Sequence, residues 1–324
     1  MAAFLVRRLV LSLAMLFVAS FVSFCFFASR FYPLRGTPLL PAYWRWLRGV
    51  PSGRSFTHSL SGRPLPFLLN ALGHTVALLV VTLVLVLVVS VVLGVLAGAF
   101  GGSVLDLLIR GMSYVGWAIP AFLLALILQQ AVGKVAGGSG LGLLPVAGWA
   151  GSCPGGVGID LHTFRCPAAG SGFAYVAHVL EHLALPAITL TVGFVGLHSR
   201  YLRAALVDEL GKPYVTTARA KGLPERVVVL RHAMRNSLVT FIPALLADFG
   251  AIFGASFAVD YVFGLLGLGN VFVAWMHFNS TSLTLDTYAM QLLLLMSGGL
   301  VIVVSLLSEF LTAALDPRAS FEAG

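Results

Sequence analysis

Charged residues are scarce in this chain. Only 10% of its 324 residues are Asp, Glu, Lys or Arg, whereas 59% are hydrophobic. A soluble domain has about 25% charged and about 45–50% apolar residues, so this composition excludes a water-soluble globular fold. Acidic residues are fewer than basic ones, at 12 against 20, which gives a net charge of +8. In a membrane protein such an excess is typical of the loops near span ends, and we expect no nucleic-acid partner.

The chain also lacks a phosphate-binding loop. The pattern G-x-x-x-x-G-K-[ST] does not occur, because Gly133-Lys134 is followed by Val135 and Gly211-Lys212 is followed by Pro213. This loop holds the phosphates of ATP in many nucleotide hydrolases. We therefore expect that the chain is not an enzyme, has no catalytic residues, and holds no cofactor or metal of its own.

Long apolar runs account for most of the sequence. Six apolar stretches, uncharged except for Asp248 in the fifth, are long enough to cross a bilayer, which takes about 20 residues as a helix. They predict an all-α integral membrane protein with spans near 9–28, 75–99, 111–133, 182–199, 237–259 and 287–308. Pro120 predicts a kink in the third span, and Gly94-x3-Gly98 predicts a close-packing face on the second.

An even number of spans places both termini on one side of the membrane. The segment 200–236 has eight basic and three acidic residues. Because basic loops favour the cytoplasmic side, we expect this segment, Arg7-Arg8 and both termini to be cytoplasmic. The predicted divisions are 1–70 for the first span and a long extracytoplasmic loop, 71–315 for a core membrane domain with the other five spans and the segment 200–236, and 316–324 for a cytoplasmic tail.

Two segments would then lie outside. The loop 30–70 has six arginines and no acid, which opposes the orientation rule. Its aromatic stretch at 43–47 indicates an amphipathic helix at the membrane interface, with an irregular loop as the alternative. The second outer segment, 134–180, contains Cys153 and Cys166, which are a disulfide candidate, with two free thiols as the alternative. Cys25 in the first span is expected to be a small buried side chain.

The segment between the fourth and fifth spans has clear helix boundaries. Pro213 suits the first turn of a helix, Gly222 suits a left-handed residue that ends one, and Pro224 prevents continuation. These signals predict a short helix of about ten residues, followed by a second helix that carries Arg231 and Arg235 on one face. A rigid helix inside such a loop indicates a docking element for a cytoplasmic partner, with an ordinary interfacial helix as the alternative.

The residues of this segment resemble a known family. Tyr214-Val-Thr-Thr-Ala-Arg-Ala-Lys-Gly222 and Arg231-His-Ala-Met-Arg-Asn236 are similar to the coupling loop of ABC importer permeases of the binding-protein-dependent type. The likeness is to the B-type permeases of the oligopeptide, dipeptide and nickel group. Similar motifs occur along the chain, at Phe4–Leu9, Ser61–Pro64, His182–Leu190, Asp260–Phe263, Gly267–Gly269 and Leu315–Arg318.

This resemblance implies a type I importer fold in which 214–222 form a cytoplasmic coupling helix that fits a groove on an ATPase. The residues it marks for this contact are Tyr214, Thr216, Thr217, Ala218, Arg219, Ala220, Lys221, Gly222, Arg231 and Arg235. The small side chains at 218, 220 and 222 suit a helix pressed against another protein. Thr216 and Thr217 depart from the family's Glu-Ala. Asp260 replaces its usual Glu, and Leu266 replaces a Pro, so the outer gate is expected to differ.

The resemblance also implies partners and cargo. The partners are a homologous C-type permease, two cytoplasmic ATP-binding subunits or one fused ATPase, an extracytoplasmic substrate-binding protein, and membrane lipid. ATP and Mg would be bound by those partners, in a bacterial cytoplasmic membrane. The expected cargo is a peptide, with nickel chelates, glutathione or haem as alternatives. More distant alternatives are a secondary transporter and a zinc membrane peptidase, the latter suggested by His178-x-x-Glu181-His182.

Polar residues within the spans are candidates for the translocation path. Asp248 lies at the centre of the fifth span, where an ionised carboxylate costs about 2.5–3.5 kcal/mol on insertion scales, so we expect it to face a cavity or a partner. The alternatives are a protonated carboxyl inside the bundle and a salt bridge to a second permease. Asp260, Gln129 and Gln291 are further candidates, with Gln130 beside them, although amides also join helices.

Overall fold

The computed structural model describes residues 2–31, 38–50, 64–139, 145, 147–148, 173–277 and 287–315. Regular structure in these ranges is helical throughout. The helices are α1 (Ala2–Phe31), α2 (Leu39–Gly49), α3 (Pro64–Ala99), α4 (Val104–Ala118), α5 (Ala121–Ser139), α6 (Phe173–Leu210), α7 (Pro213–Ala220), α8 (Glu225–Val227), a π segment (Val228–Ala233), α9 (Met234–Ala247), α10 (Phe249–Phe263), α11 (Leu268–His277) and α12 (Thr287–Leu315).

Four of these helices are long and apolar enough to cross a membrane unaided. They cover Arg7–Phe26, Leu65–Ala99, Tyr175–Leu210 and Met290–Ala314. Two further candidates are bent pairs, Val104–Ala118 with Ala121–Val132 and Glu225–Ala247 with Phe249–Phe263. The described part of the chain thus has four candidate spans, or up to six if each bent pair crosses once. The helical class is confirmed, and each expected span coincides with one helix or one bent pair.

The third candidate span is broken rather than kinked. The axes of α4 and α5 differ by 96°. Pro120 follows Ile119, whose backbone is extended at φ −83° and ψ 120°. Proline disfavours the helical conformation in the residue before it, and it has no N–H to continue the helical ladder. Pro120 therefore ends α4 completely, whereas the sequence predicted one kinked helix.

The fifth candidate span is also broken, at Asp248. The two halves, α8 to α9 and α10, meet at 48°. Asp248 has φ −82° and ψ 4°, outside the helical region. The apolar run predicted a single helix over 237–259, so this break was not foreseen.

The two longest helices, α3 and α6, pack against each other through small residues. An added Cβ at Gly94 would lie 3.0 Å from Leu202 Cβ, and one at Gly98 would lie 2.8 Å from Leu206 Cδ2. Both distances are shorter than ordinary van der Waals contact, so α3 and α6 pack closely at these glycines, as Gly94-x3-Gly98 predicted. The main buried cluster joins α3 and α6 to α9, α10, α11 and α12.

The loop after the first span contains the predicted helix, α2. Tyr43 and Trp46 are buried, and Tyr43 packs edge-on against Phe17, Phe21 and Phe24 of α1. The hydroxyls of Ser20 and Tyr43 are 2.6 Å apart. Trp44 stays exposed beneath the guanidinium of Arg48. The helix is confirmed, but two of its aromatic side chains anchor it to α1 rather than to a membrane surface. Cys153 and Cys166 lie outside the described residues.

Candidate functional site

The bounded helix predicted between the fourth and fifth spans is α7. It begins at Pro213 and ends at Ala220, so its length is eight residues. Pro213 is at a position where a missing N–H costs no helical hydrogen bond. Gly222 has φ 76°, a left-handed conformation that favours glycine. Lys221 and Gly222 therefore form the turn after the helix, rather than its last residues as the resemblance implied.

One face of α7 is turned toward its own chain. Val215 and Ala218 are buried in a cluster with Val228 of the π segment, and Leu210 and Tyr214 border it. Ala218 is only 8% exposed. Its small side chain therefore allows close packing against the π segment, which corrects the expectation that it contacts another protein. The exposed positions of α7 are Pro213, Thr216, Thr217, Arg219 and Ala220.

Tyr214 joins α7 to both neighbouring helices. Its hydroxyl donates to Glu209 Oε2 of α6 over 2.7 Å, and it accepts from Asn236 Nδ2 of α9 over 3.2 Å. Lys212 also pairs with Glu209. Burial, together with the hydrogen bond to the Glu209 carboxylate, raises the pKa of the Tyr214 phenol above its ordinary value of 10.0. The hydroxyl is therefore protonated at neutral pH and can donate.

The basic residues around α7 differ in their pairing. Arg219 donates two hydrogen bonds to Glu225, over 2.7 and 3.1 Å. Both side chains are exposed, and surface pairs of this kind are worth about 0–1 kcal/mol. Lys221, Arg231 and Arg235 are exposed and form no ion pair with any described residue. Arg231 lies in the π segment and Arg235 in α9, so a change of helix type separates them.

The path candidates fall into different environments. Asp248 has a side chain that is 47% exposed, at the break between α9 and α10. Gln129 of α5 donates to the Val262 carbonyl of α10 over 2.9 Å, and therefore joins two helices. Gln291 of α12 is 3% exposed. Asp248 is thus more accessible than the buried candidates Asp260 and Gln291, and Gln130 is exposed on α5.

Asp260 has a structural role. It is 1% exposed, and its two carboxylate oxygens accept hydrogen bonds from the backbone N–H groups of Gly267, Gly269 and Asn270, over 2.8–3.1 Å. These N–H groups lie at the start of α11, where a helix leaves its donors unpaired. Leu266 in this turn has φ 59°, which a proline could not adopt. Asp260 therefore caps α11 in this conformation, and does not line an open path.

The residues that resembled a zinc peptidase motif lie at the start of α6. His178 and His182 have ring centroids 4.5 Å apart, and His178 Nδ1 is 3.4 Å from Glu181 Oε2. The Nδ1 of His182 faces the His178 carbonyl. Across the ranges that the structure describes, no three His, Cys, Asp or Glu side chains are grouped as metal ligands.

Comparison with known proteins settles the family. Residues 90–321 match the model of the binding-protein-dependent transport system inner membrane component. The chain belongs to this family. The matched region contains α7, the π segment and the break at Asp248. The chain is therefore a multi-pass permease of the bacterial inner membrane, and permeases of this family are not themselves enzymes.

Individual relatives cover most of the permease. It is 28% identical to the oligopeptide transport system permease protein OppB of Mycobacterium bovis, over 98% of this chain and 99% of that protein. It is also 28% identical to the oligopeptide transport system permease protein AppB of Bacillus subtilis, over 88% of this chain and 81% of that protein. The glutathione transport system permease protein GsiC of Salmonella paratyphi A is 26% identical, with the same two coverages. The resemblance stated from the motifs is confirmed.

Sequence reasoning missed an ion pair that joins α4 to α6. The carboxylate of Asp106 is fully buried, and Arg203 donates to its two oxygens over 2.7 Å each. Arg110 lies 3.2 Å from it. Ser103, three residues earlier, caps α4 by accepting from the Asp106 N–H. The Ser103–Asp106 spacing could have predicted this helix start, but nothing local identifies Arg203 as the partner.

Proposed function

We propose that this permease carries peptides across the bacterial inner membrane as one subunit of an ATP-driven importer. The support for peptide cargo is that two relatives covering most of the chain are named oligopeptide permeases. ATP-binding partners are inferred from the family and from the absence of a phosphate-binding loop in this sequence. The proposed assembly contains this chain, a homologous C-type permease, two ATP-binding subunits or one fused ATPase, and an extracytoplasmic binding protein.

The exposed side of α7 is the proposed contact for the ATPase. The observation that supports this assignment most strongly is the asymmetry of the helix: its inner side is fixed by Val215, Ala218 and Tyr214, while Thr216, Thr217 and Ala220 are left free to contact another protein. A helix anchored on one side moves together with the ends of α6 and α9. Movement of the ATPases would then reach the membrane helices and change access from one side to the other.

The same proposal fixes the orientation. The segment 200–236 and both termini are placed in the cytoplasm, with α2 and the α11 turn on the outer side. Eight basic residues in 200–236 favour this arrangement. Lys221, Arg231 and Arg235 would then lie where they can meet either acidic groups of an ATPase or anionic lipid headgroups.

Glutathione is a second candidate cargo. The observation in its favour is the likeness to a glutathione permease, at 26% identity over 88% of this chain. Glutathione is itself a small peptide, so both cargoes need a path of similar size and polarity. A competition assay tests whether glutathione is also a cargo. Excess glutathione should block trialanine import only if the importer accepts both compounds.

Ala220→Trp tests the ATPase contact. A bulky side chain on the exposed side of α7 should prevent docking, so ATP-driven uptake of trialanine should fall at least tenfold while the second permease still co-purifies. Gly222 is less suitable, because its φ of 76° makes any side chain there strained. Ala204→Trp is the matched control, since Ala204 is exposed on α6 outside the α7 contact. Normal uptake by the Ala220 variant would contradict the assignment.

A further inference from the structure

Asp248 is a charged side chain in the middle of an apolar stretch. The segments 237–247 and 249–259 on its two sides contain no charged residue. It lies at the break between α9 and α10, and 47% of its side chain is exposed on this chain. Carboxylates at such depth face protein or water, because exposure to hydrocarbon is costly. The break therefore presents a carboxylate group where only a polar neighbour is favourable.

A buried histidine points at this carboxylate. His198 of α6 is 2% exposed, and its Nδ1–H donates to the Phe194 carbonyl over 2.9 Å. This bond leaves Nε2 of a neutral ring as an acceptor. Nε2 lies 3.4 Å from Asp248 Oδ2, and it has no hydrogen-bond partner in the described part of the chain. When the ring is neutral, two acceptors face each other, and one donor group placed beside them can hydrogen-bond to both.

The exposed surface around Asp248 does not resemble a lipid-facing one. On α3, the exposed positions between 80 and 96 are all large and apolar, at Val80, Val84, Val88, Val92 and Leu96. Around Asp248, by contrast, the exposed positions between 241 and 260 are all Ala or Gly, at Ala247, Gly250, Ala251, Gly254 and Ala258. An added Cβ at Gly254 would meet nothing within 4 Å. This surface has room for another backbone to approach.

We propose that Asp248 and His198 form a subsite that binds the ammonium group of the peptide cargo during translocation. An ammonium has three N–H donors and a positive charge, so it can donate to Asp248 Oδ2 and His198 Nε2 together and neutralise the carboxylate. The Ala and Gly surface beside it would admit the peptide backbone. The subsite rests on the proposed function, and it assigns a cargo contact to residues that no comparison singles out.

The test compares two cargoes in the complete importer. The permease and its partners are reconstituted in vesicles with the binding protein, and ATP-driven uptake is measured for trialanine and for its analogue in which a hydroxyl replaces the N-terminal ammonium. The binding protein is saturated with each cargo. The variants are Asp248→Asn, which removes the charge, and Asp248→Glu, which retains it. Asp208→Asn is the matched control, because Asp208 is an exposed acid of α6 outside the subsite.

We expect Asp248→Asn to lower trialanine uptake at least tenfold and analogue uptake less than twofold. The preference for the ammonium, measured as the ratio of trialanine uptake to analogue uptake, should therefore fall at least fivefold. Asp248→Glu should keep more than a third of the preference, and Asp208→Asn should keep all of it. The subsite would be overturned if this ratio were the same in Asp248→Asn as in the wild type. It would also be overturned if both proteins imported trialanine and rejected the analogue. Loss of the second permease from the purified Asp248→Asn complex would also overturn it, because Asp248 would then pair with that subunit. Absence of trialanine uptake by the wild type would instead contradict the proposed function.

Discussion

Tyr214 is the residue through which α7 is held to both adjacent helices. Its hydroxyl is shared between Glu209 of α6 and Asn236 of α9. Side-chain hydrogen bonds to a charged group contribute about 1.5–3 kcal/mol, more than a neutral pair. A helix that transmits movement needs such a connection, since a loosely held one would move without displacing α6 and α9.

Tyr214→Phe should therefore weaken transmission without removing the docking surface. We expect the number of trialanine molecules imported per ATP hydrolysed to fall about three- to tenfold, while the ATPase subunits still co-purify. Tyr201→Phe is the control, because Tyr201 is an exposed tyrosine on α6. An unchanged ratio of import to hydrolysis in the Tyr214 variant would show that this hydroxyl does not serve coupling.

Local signals predicted some residues well and others poorly. Pro213 and Gly222 follow from backbone chemistry that each residue imposes on its own position, and the structure places them at the start of α7 and in the turn after it. Ala218 and Asp260 were assigned outward roles, whereas both are buried. Their environments are created by Val228 and by the turn at 267–270, which are distant enough in sequence that neither residue type nor spacing identifies them.

At the scale of elements, α6 organises the core. Its 38 residues run from Phe173 to Leu210, and they contact α3, α4, α5, α9 and α10. At one point α6 lies very close to α4, because an added Cβ at Gly196 would be 2.2 Å from the Ser113 carbonyl oxygen. Only glycine allows the two backbones this approach. The buried Asp106–Arg203 pair joins the same two helices nearby.

Gly196→Ala should consequently separate α4 from α6. Overpacking of this kind costs about 1–3 kcal/mol, so we expect a lower melting temperature for the purified protein in detergent. Gly193→Ala on the same helix is the matched control, since an added Cβ there meets nothing within 4 Å. Alanine also favours helix over glycine by about 1 kcal/mol, so the control should melt at or slightly above the wild-type temperature. Equal melting temperatures for the two variants would refute the close contact.

Helix existence was easier to predict than helix breaks. Apolar length alone indicated each candidate span, because the bilayer sets a minimum number of residues. The break at Pro120 was signalled by proline, although its angle of 96° depends on how α5 packs against α6 and α10. The break at Asp248 had no such signal. Pro243 lies inside α9 without ending it at once, and the helix ends four residues later, at Ala247.

At the scale of the whole molecule, the permease combines α7, which we propose docks an ATPase, with a break at Asp248 in one candidate span, and its sequence has no phosphate-binding loop. The family match over 90–321 accounts for both the apolar helices and the loop that carries α7. The proposed function has partner subunits supply the energy for transport, so assembly with those subunits is its central claim. The composition of that assembly is implied by resemblance, since no pattern in a single chain specifies how many partners it has.

Native mass spectrometry measures this composition most directly. The tagged permease would be extracted with mild detergent from its own cells, so that its natural partners are present, and the mass of the intact complex would be recorded. The account predicts a complex that contains this chain, one homologous permease and two ATP-binding units, either separate or fused, with or without a binding protein. A chain that is found alone, or only as a homodimer, would contradict the importer.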